Sequence, residues 1–158
     1  MDKSRGVLRI FVLADTHNRL SDTVKDMAKN ADEIWHLGDV CAETIVDELR
    51  AIGPGLVVVR GNCDSNFQWP LVLDVVRDGL KFRLQHIPPD KAPDDVDVLL
   101  HGHTHVPRNE RRGRVHLLNP GCVTRPNRGA PPSVAWLELL DRKISWKVVP
   151  LPKGSLTC

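Results

Sequence analysis

The amino-acid sequence has no strong excess of charge of either sign. Its 158 residues include 22 lysines and arginines and 20 aspartates and glutamates, for a formal net charge of +2 with the seven histidines neutral. Dedicated nucleic-acid-binding proteins usually have a marked basic excess, so this balance argues against that class. A chain of this length is most simply one domain, and we expect residues 1–158 to form a single one.

Apolar runs long enough to cross a bilayer are also missing. The first apolar stretch, residues 7–14, contains Arg9 and lacks a signal-peptide cleavage pattern. It is much shorter than the ~20 residues that a spanning helix needs. The cysteines, none of them in a Cys-x-x-Cys spacing, are Cys41, Cys63, Cys122 and Cys158. We therefore predict free thiols, no contact with a membrane and a cytoplasmic location.

The first half of the chain alternates short apolar runs with amphipathic stretches. Apolar runs rich in β-branched residues predict buried strands at 7–13, 33–37 and 56–59. Between them, apolar residues recur at helical spacing over about 21–30 and 42–51. This strand–helix alternation predicts parallel pairing with right-handed crossovers.

The second half contains seven further strand candidates and no strong helical pattern. They lie at 72–76, 80–84, 96–100, 106–110, 115–118, 134–140 and 144–149. The first two candidates flank a tight turn and the fourth and fifth flank a basic turn, so each pair predicts a β-hairpin. We expect the last two to close a second sheet. The predicted fold is α/β, with one mostly parallel sheet, one mostly antiparallel sheet and helices outside them.

Five of the strand candidates are followed by short polar segments. These are Asp15-Thr16-His17, Gly38-Asp39, Gly61-Asn62-Cys63-Asp64, His86 and Gly102-His103-Thr104-His105. Residues at the carboxyl ends of strands can converge even when they are distant in sequence. Carboxylate, amide and imidazole donors without thiolate suit Mn²⁺, Fe²⁺, Co²⁺, Ni²⁺ or Zn²⁺ better than Ca²⁺ or an iron–sulfur cluster. The pattern therefore predicts a site for two divalent ions, which can stabilise an in-line displacement at phosphorus.

Two further sets of residues near these segments are expected to have supporting roles. We expect Gly38, Gly61 and Gly102 to let the backbone turn sharply beside the ions. Three other histidines are expected to be structural and not ligands, namely His36, His101 and His116.

Together with Asn119-Pro120-Gly121, these motifs resemble the calcineurin-like metallophosphoesterases, in particular the small bacterial and archaeal phosphodiesterases of the YfcE type. The resemblance implies the metallo-dependent phosphatase fold, a four-layer α/β/β/α sandwich of two mixed sheets. It also implies two metal ions per chain, with Mn²⁺ as our first choice. One ion would be held by Asp15, His17, Asp39 and His105, and the other by Asp39, Asn62, His86 and His103.

The activity that this resemblance implies is hydrolysis of a small phosphodiester by a hydroxide that bridges the two ions. We assign the catalytic roles to Asp39, Asn62 and His103. Two departures from the family pattern are visible. Cys63 replaces a histidine that many relatives carry, and a thiol is a poorer proton donor, so leaving groups of low pKa are favoured. Residues 87–89 are Ile-Pro-Pro, where relatives usually continue Gly-His after the histidine.

Several alternatives stay open at this point. Cys63, Arg125 and Arg128 are candidates for substrate binding, the arginines because their loop could face the cleft. A non-catalytic scaffold such as the retromer subunit shares the fold, although that subunit lacks ligands that this chain keeps at Asp39 and Asn62. A nuclease that uses the basic hairpin at 108–114 is disfavoured, because no aromatic residues interleave with its charges. The sequence does not decide the substrate, the metal or the presence of a homo-oligomer.

Overall fold

The structure is a computed structural model in which residues 6–124 and 127–152 are described. In chain order its elements are β1 (Leu8–Leu13), α1 (Asp22–Ala28), β2 (Glu33–His36), α2 (Glu43–Ile52), β3 (Gly55–Val58), β4 (Val72–Arg77), β5 (Leu80–Gln85), β6 (Val98–Leu100), β7 (Arg108–Arg112), β8 (Val115–Asn119), β9 (Ser133–Leu140) and β10 (Lys143–Pro150). Among the described residues, no helix has both the length and the apolar character needed to span a membrane.

The strands form two mixed sheets. The first has the order β10-β9-β1-β2-β3 and the second β4-β5-β6-β8-β7. In the first sheet, β1 is parallel to β2 and antiparallel to β9. In the second, β5 is antiparallel to β4 and parallel to β6. The expectation of one mostly parallel and one mostly antiparallel sheet is thus wrong, whereas both predicted hairpins, β4–β5 and β7–β8, are confirmed.

The hairpin of β9 and β10 belongs to the first sheet, so the expectation that it closes the second one is also wrong. Strand β9 pairs with β1 in a register that sets Leu8 opposite Leu139 and Val12 opposite Ala135. Its burial pattern shows buried residues on both faces over its first half. A strand that is buried on both faces needs packing partners against each face. Its apolar residues do not specify which sheet the strand joins.

Alternating residues of β1 build two separate hydrophobic layers. Ile10 and Val12 face the second sheet and pack in one cluster with residues that include Phe82. Phe11 and Leu13 face the opposite side, in the cluster that includes residues of both helices. The strand is buried on both faces, and the carboxyl end of β1 therefore emerges between the helical layer and the second sheet.

The two helices cover the outer face of the first sheet. The side chain of Ser21 accepts a hydrogen bond from the backbone N–H of Val24 and caps α1. Helix α2 buries Ile45, Val46 and Leu49, and ends at Gly53, whose φ is +119°. Apolar positions on one side of each helix thus account for this helical layer.

On the outer face of the second sheet, the cover is irregular in the described part of the chain. Leu99 and Leu117 pack there with Val96 and Ala92, from the segment that connects β5 to β6. That segment contains no helix and includes three prolines, at positions 88, 89 and 93. Proline interrupts helices, which explains why the fourth layer of the sandwich is a loop in this chain.

Candidate metal centre

The seven candidate ligands follow the carboxyl ends of five strands. Asp15 and His17 follow β1, Asp39 follows β2, Asn62 follows β3, His86 follows β5, and His103 and His105 follow β6. Two of these strands belong to the second sheet and three to the first. Because the two sheets pack face to face, their ends bring the polar loops together at one edge of the sandwich.

Asp15, Asp39 and His86 form the buried centre of this cluster. The Nε2 atom of His86 lies 3.3 Å from Oδ2 of Asp39 and 3.7 Å from Oδ1 of Asp15. Donor atoms of all three residues lie within 4.8 Å of one another, the spacing of a possible metal site. Asp15 Oδ1 and His86 Nε2 are buried without a hydrogen-bond partner. A cation bound between them would satisfy both atoms, and burial of unsatisfied polar groups is otherwise costly.

His17 and His105 approach the same two carboxylates from another side. The Nε2 atom of His105 lies 3.3 Å from Oδ1 of Asp15. The Nε2 atom of His17 lies 3.9 Å from that oxygen and 4.0 Å from Oδ2 of Asp39. Oδ2 of Asp39 therefore lies near both His17 and His86, as expected of a carboxylate that two ligand sets could share.

Asn62 and His103 form the more exposed side of the cluster. The Nδ1 atom of His103 lies 3.1 Å from Oδ1 of Asn62, and its ring centroid lies 5.2 Å from that of His86. The backbone N–H of His103 donates to Oδ2 of Asp15 at 3.3 Å. The structure thus brings all seven predicted ligands into one cluster, with Asn62 and His103 toward solvent.

The carboxylates of this cluster have shifted acidities. Burial raises the pKa of Asp15 to about 6. Burial also acts to raise the pKa of Asp39, but the adjacent His86 ring and the hydrogen bond from the Cys63 N–H outweigh it and hold that pKa below its usual range. For His86, burial acts to lower the pKa, yet the adjacent carboxylates of Asp39 and Asp15 raise it overall. These mutual effects show strong coupling between carboxylates and imidazoles, of the kind that functional sites display.

The orientation of the His86 ring is set by the backbone. Its Nδ1 atom donates a hydrogen bond to the carbonyl oxygen of Leu37 at 2.8 Å. This bond assigns the proton to Nδ1 and leaves the lone pair of Nε2 directed at Asp15 and Asp39. Histidine ligands of metals are typically held in this way by a carbonyl or carboxylate partner. His86 therefore lies at the middle of the cluster despite the Ile-Pro-Pro sequence that follows it.

The backbone is strained at most of the candidate ligands. Positive φ angles occur at Asp15 (61°), His17 (48°), Asp39 (56°), His103 (71°) and His105 (62°). A left-handed conformation costs a residue other than glycine roughly 1–2 kcal/mol. Such strain persists only where surrounding interactions determine the backbone, and it is concentrated at functional sites.

Asp64 supplies part of this support, although the sequence motifs predict no role for it. Its buried carboxylate accepts hydrogen bonds from the backbone N–H groups of Gly61 at 2.7 Å, Asp39 at 2.9 Å and Cys41 at 2.8 Å. It thereby ties the loop after β3 to the loop after β2. Its position three residues after Gly61 was the available signal, since aspartate often accepts bonds from nearby backbone N–H groups in turns.

His36 and His101 occupy structural positions behind the ligands. The Nδ1 atom of His36 accepts a hydrogen bond from the N–H of Gly38 at 3.1 Å, and its Nε2 atom lies 3.0 Å from Oγ1 of Thr16. The Nδ1 atom of His101 donates to the carbonyl oxygen of Gly102 at 2.8 Å. Each ring supports a ligand loop, in agreement with the predicted structural roles.

The glycines beside the ligands have two different functions. Gly38 has a φ of +102°, so it makes the sharp turn that the sequence predicted. Gly61 and Gly102 have no such angle, but each begins a predicted turn, closed by backbone hydrogen bonds from the N–H of Asp64 to the Gly61 carbonyl and from the N–H of Thr104 to the Gly102 carbonyl. A Cβ atom on Gly61 would collide with Asp39, and one on Gly102 would lie 2.9 Å from Cβ of Ala14. These two positions need glycine because neighbouring loops approach their Cα atoms closely.

The structure describes two of the three candidate substrate-binding residues. Cys63 is exposed beside Asn62, and desolvation together with the Asp39 carboxylate raises the pKa of its thiol. Arg128 is exposed, and its N–H donates to the side chain of Asn127 at 2.8 Å. Arg125 lies outside the described residues. Among the cysteines, Cys41 and Cys63 are free thiols in the described part of the chain, and Cys158 is likewise outside it.

Comparison with known proteins decides the family. The sequence profile of the calcineurin-like phosphoesterase superfamily domain matches residues 8–142. The chain belongs to this superfamily.

Two curated relatives support the same assignment. Phosphodiesterase YfcE of Escherichia coli is 32% identical over 107 residues, which cover 60% of this chain and 58% of YfcE. A probable metallophosphoesterase of Methanocaldococcus jannaschii is 34% identical over 167 residues, covering 92% of this chain and 83% of the relative. Membership of a metallophosphoesterase family implies that the chain binds divalent metal.

Solved structures confirm the predicted fold class. The YfcE structure from E. coli has a TM-score of 0.69 at 24% identity, covering 91% of this chain and 100% of that one. Vacuolar Protein Sorting 29 from Cryptosporidium parvum has a TM-score of 0.77 at 22% identity, covering 94% and 93%. Vps29 of Entamoeba histolytica, solved with Zn²⁺, has a TM-score of 0.67 at 22% identity, covering 89% and 98%. At these identities the likeness is one of fold.

Proposed function

We propose that this superfamily member is a divalent-metal-dependent phosphodiesterase with a dinuclear centre, acting in the cytoplasm as a single-domain enzyme. The observation that carries the proposal is the buried cluster of Asp15, Asp39 and His86, in which two polar atoms have no hydrogen-bond partner. Four further donors surround this cluster at loops whose backbone is largely strained. This construction is costly for folding and is explained by a function that needs it.

The chain offers two sets of ligands that share one carboxylate. Asp15, His17 and His105 would hold one ion together with Asp39, and Asn62, His86 and His103 would hold a second ion together with Asp39. When bound, a pair of divalent ions supplies a nucleophilic hydroxide near neutral pH and neutralises the charge that develops at phosphorus. Nitrogen and oxygen donors without a thiolate favour Mn²⁺, with Ni²⁺, Fe²⁺, Co²⁺ and Zn²⁺ as the other candidates.

The residues of the chain have separate tasks in this proposal. Asp39 lies between the two ligand sets and keeps them at a fixed separation. Asn62 and His103 lie on the exposed side, where a phosphoryl group enters, and can orient it for in-line attack. The backbone bonds of Asp64 hold the loops of Asp39 and Asn62 in register. The catalytic contribution is thus mainly positioning and electrostatic stabilisation.

The same geometry favours substrates with good leaving groups. Cys63 occupies the exposed position next to Asn62, and the pKa of its thiol is raised. A thiol of high pKa does not protonate a leaving oxygen efficiently at neutral pH. We therefore propose a small phosphodiester whose leaving group has a low pKa, with Arg125 and Arg128 as candidate contacts to the phosphate.

A non-catalytic scaffold is the second candidate, because Vps29 proteins share the fold. A Vps29 has been solved with Zn²⁺, so metal binding by itself does not separate the two functions. The presence of both Asp39 and Asn62 favours the enzyme, since they complete the two ligand sets. Turnover, and not metal content, is the property that distinguishes the candidates.

The basic sequence of the β7–β8 hairpin suggests a nuclease function, but the structure gives that function less support. Glu110 pairs with Arg108 at 3.0 Å and with Arg112 at 2.5 Å. Two of the arginines are therefore partly neutralised within the hairpin. This arrangement weakens the electrostatic attraction that binding to a nucleic-acid backbone requires.

Hydrolysis of bis-p-nitrophenyl phosphate tests the proposed function. The wild-type protein, loaded with Mn²⁺ or Ni²⁺, is expected to release p-nitrophenolate, whereas the variants Asp39→Asn and His103→Ala are expected to lose this activity. Asp47→Asn, an exposed carboxylate on α2, is the matched control and should retain it. Folding of every variant is checked by circular dichroism. Absence of turnover by folded wild-type protein with any of the five metals would contradict the proposal.

A further inference from the structure

Large apolar side chains are exposed on one side of the candidate centre. Among the described residues, Phe67 is 79% exposed, Leu71 57%, Val72 50% and Ile87 51%. The first three follow the loop that carries Asn62, and Ile87 directly follows His86. Exposed apolar residues grouped in this way mark a surface that binds something.

Three of these residues, Leu71, Val72 and Ile87, line a cavity that also contains two candidate ligands. The cavity has a volume of about 310 Å³ and is lined mainly by Leu71, Val72, Ile87 and Arg60, together with Asn62 and His86. A volume of this size accommodates a small organic group. Because Asn62 and His86 belong to both sites, a phosphoryl group held by these residues would direct one of its ester substituents into the cavity.

Two polar side chains lie at the cavity beside the candidate ligands. The amide Nε2 of Gln85 donates to the carbonyl oxygen of Ile87 at 2.7 Å. The guanidinium of Arg60 lies over the ring of Phe67, 4.5 Å from its centroid, a contact that leaves its N–H groups able to donate to an anionic group. Leu71, Val72 and Ile87 contribute only apolar side chains to the remaining wall. An aromatic or branched aliphatic group would bury apolar surface on these three residues.

We propose that this cavity is a subsite for an apolar ester substituent of the substrate, so that the enzyme prefers phosphodiesters with an aromatic or branched aliphatic group. The inference rests on the proposed function, because the phosphoryl group must be held at the centre beside the cavity. The Ile-Pro-Pro sequence after His86 contributes directly, since Ile87 forms part of the apolar wall. The sequence departure at this position therefore determines specificity.

Binding of two matched phosphonates tests the subsite. Phenylphosphonate and methylphosphonate carry the same charged group and have a P–C bond that phosphodiester hydrolysis leaves intact. Isothermal titration calorimetry on Mn²⁺-loaded wild-type protein should show that phenylphosphonate binds about tenfold more tightly than methylphosphonate. Equal affinities, or binding of neither compound, would overturn the inference.

Substitutions in the cavity wall, with a control on β4, locate the effect. Val72→Ser combined with Ile87→Ser is expected to reduce the preference for phenylphosphonate to roughly twofold or less, while the affinity for methylphosphonate stays unchanged. Val76→Ser is the control, because Val76 is 62% exposed on the same face of β4 but does not line the cavity. The control should keep the full preference, and an equal loss in both proteins would overturn the inference.

The two experiments distinguish failure of the subsite from failure of the proposed function. If bis-p-nitrophenyl phosphate is hydrolysed but the two phosphonates bind equally, the proposed function stands and the subsite is wrong. If the phosphonates bind with the expected difference but no diester is hydrolysed, the proposed function fails and the cavity is a binding site only. Sedimentation velocity covers the third case. If the double substitution dissociates a dimer without changing the preference, the apolar wall is an interface between copies and the subsite inference is overturned.

Discussion

The candidate centre and the apolar wall beside it differ in how they are built. Asp15, Asp39 and His86 are buried, hydrogen-bonded to the backbone of other loops and coupled to one another. Leu71 and Ile87, which line the adjoining cavity, are exposed. Two neighbouring regions on the same edge of the sandwich therefore have opposite degrees of structural constraint.

This difference indicates a division of tasks. A site for divalent ions needs donor atoms at fixed distances, and only buried, multiply bonded loops can hold strained residues such as Asp39 in place. A subsite for an organic group needs mainly shape and apolar surface, which exposed residues on loops can supply. We expect substitutions in the centre to affect catalysis and folding together, and substitutions in the wall to affect substrate preference alone.

Among substitutions that leave Asp39 and His103 in place, replacement of His86 should have the largest effect. His86→Ala removes the ring at the middle of the buried cluster, and we expect kcat/KM for bis-p-nitrophenyl phosphate to fall by roughly 100-fold or more. His116→Gln, which changes a histidine on β8 that is not a candidate ligand, is the control and should retain activity. Steady-state kinetics at saturating Mn²⁺ measure both variants. Activity of His86→Ala within a few-fold of wild type would show that this histidine is not part of the centre.

Removal of the Asp64 carboxylate should have the second-largest effect. Asp64→Ala leaves three backbone N–H groups without their acceptor, at Gly61, Asp39 and Cys41. We expect the free energy of unfolding to decrease by about 2–4 kcal/mol, with a weaker affinity for metal. Urea denaturation of the metal-free protein gives the free energy of unfolding. The exposed Asp47→Ala provides the comparison, and equal effects of the two substitutions would contradict the positioning role.

A methyl group at Gly61 should produce a smaller but clear effect. Gly61→Ala places a Cβ atom against the N–H and the carboxylate of Asp39, and we expect a destabilisation of about 1–3 kcal/mol. The matched control is Gly55→Ala, where the nearest atom to the new Cβ would be Cγ of Glu33 at 3.9 Å. Thermal denaturation should separate the two variants. Identical midpoints would show that the loop at Gly61 has room that the structure does not show.

The pH dependence of stability should reveal the structural histidine behind the centre. Burial lowers the pKa of His36 to about 3 from an ordinary value of 6.5. Between these values the unfolded chain binds a proton at His36 that the folded protein excludes. The free energy of unfolding therefore falls as pH decreases below 6.5, by up to ~1.4 kcal/mol per pH unit from this residue.

The matching variant is His36→Gln, which cannot titrate. Denaturation of the metal-free protein at several values between pH 6.5 and 5 should give a shallower slope for the variant than for the wild type. Equal slopes would mean that His36 is protonated in the folded protein, in contradiction to its hydrogen bond from Gly38.

The candidate ligands were accessible from sequence because of where they lie in the fold. Each follows an apolar strand, and strand ends converge, so position along the chain was enough to group Asp15, Asp39 and His103. The partner of β9 was not accessible in this way. Its apolar residues, such as Val134 and Leu137, indicate burial on both faces but carry no information on which sheet provides the neighbouring strand.

Contacts between loops also could not be predicted from sequence patterns. The role of Asp64 depends on three N–H groups that come together only in the folded chain. The same holds for Gly61, where a glycine beside a ligand suggested a turn and the structure shows, in addition to that turn, a close approach of Asp39. The wall formed by Leu71, Val72 and Ile87 could not be foreseen, because exposure of apolar residues depends on what the rest of the fold leaves uncovered.

Turnover as a function of bound metal tests whether a dinuclear centre performs the hydrolysis. Metal-free protein is titrated with Mn²⁺, and the number of bound ions per chain and the rate of bis-p-nitrophenyl phosphate hydrolysis are measured on the same samples. The account predicts that full activity is reached only when two ions are bound per chain, and that Asp39→Asn abolishes turnover. Full activity with a single bound ion, or no turnover at any occupancy in folded protein, would contradict it.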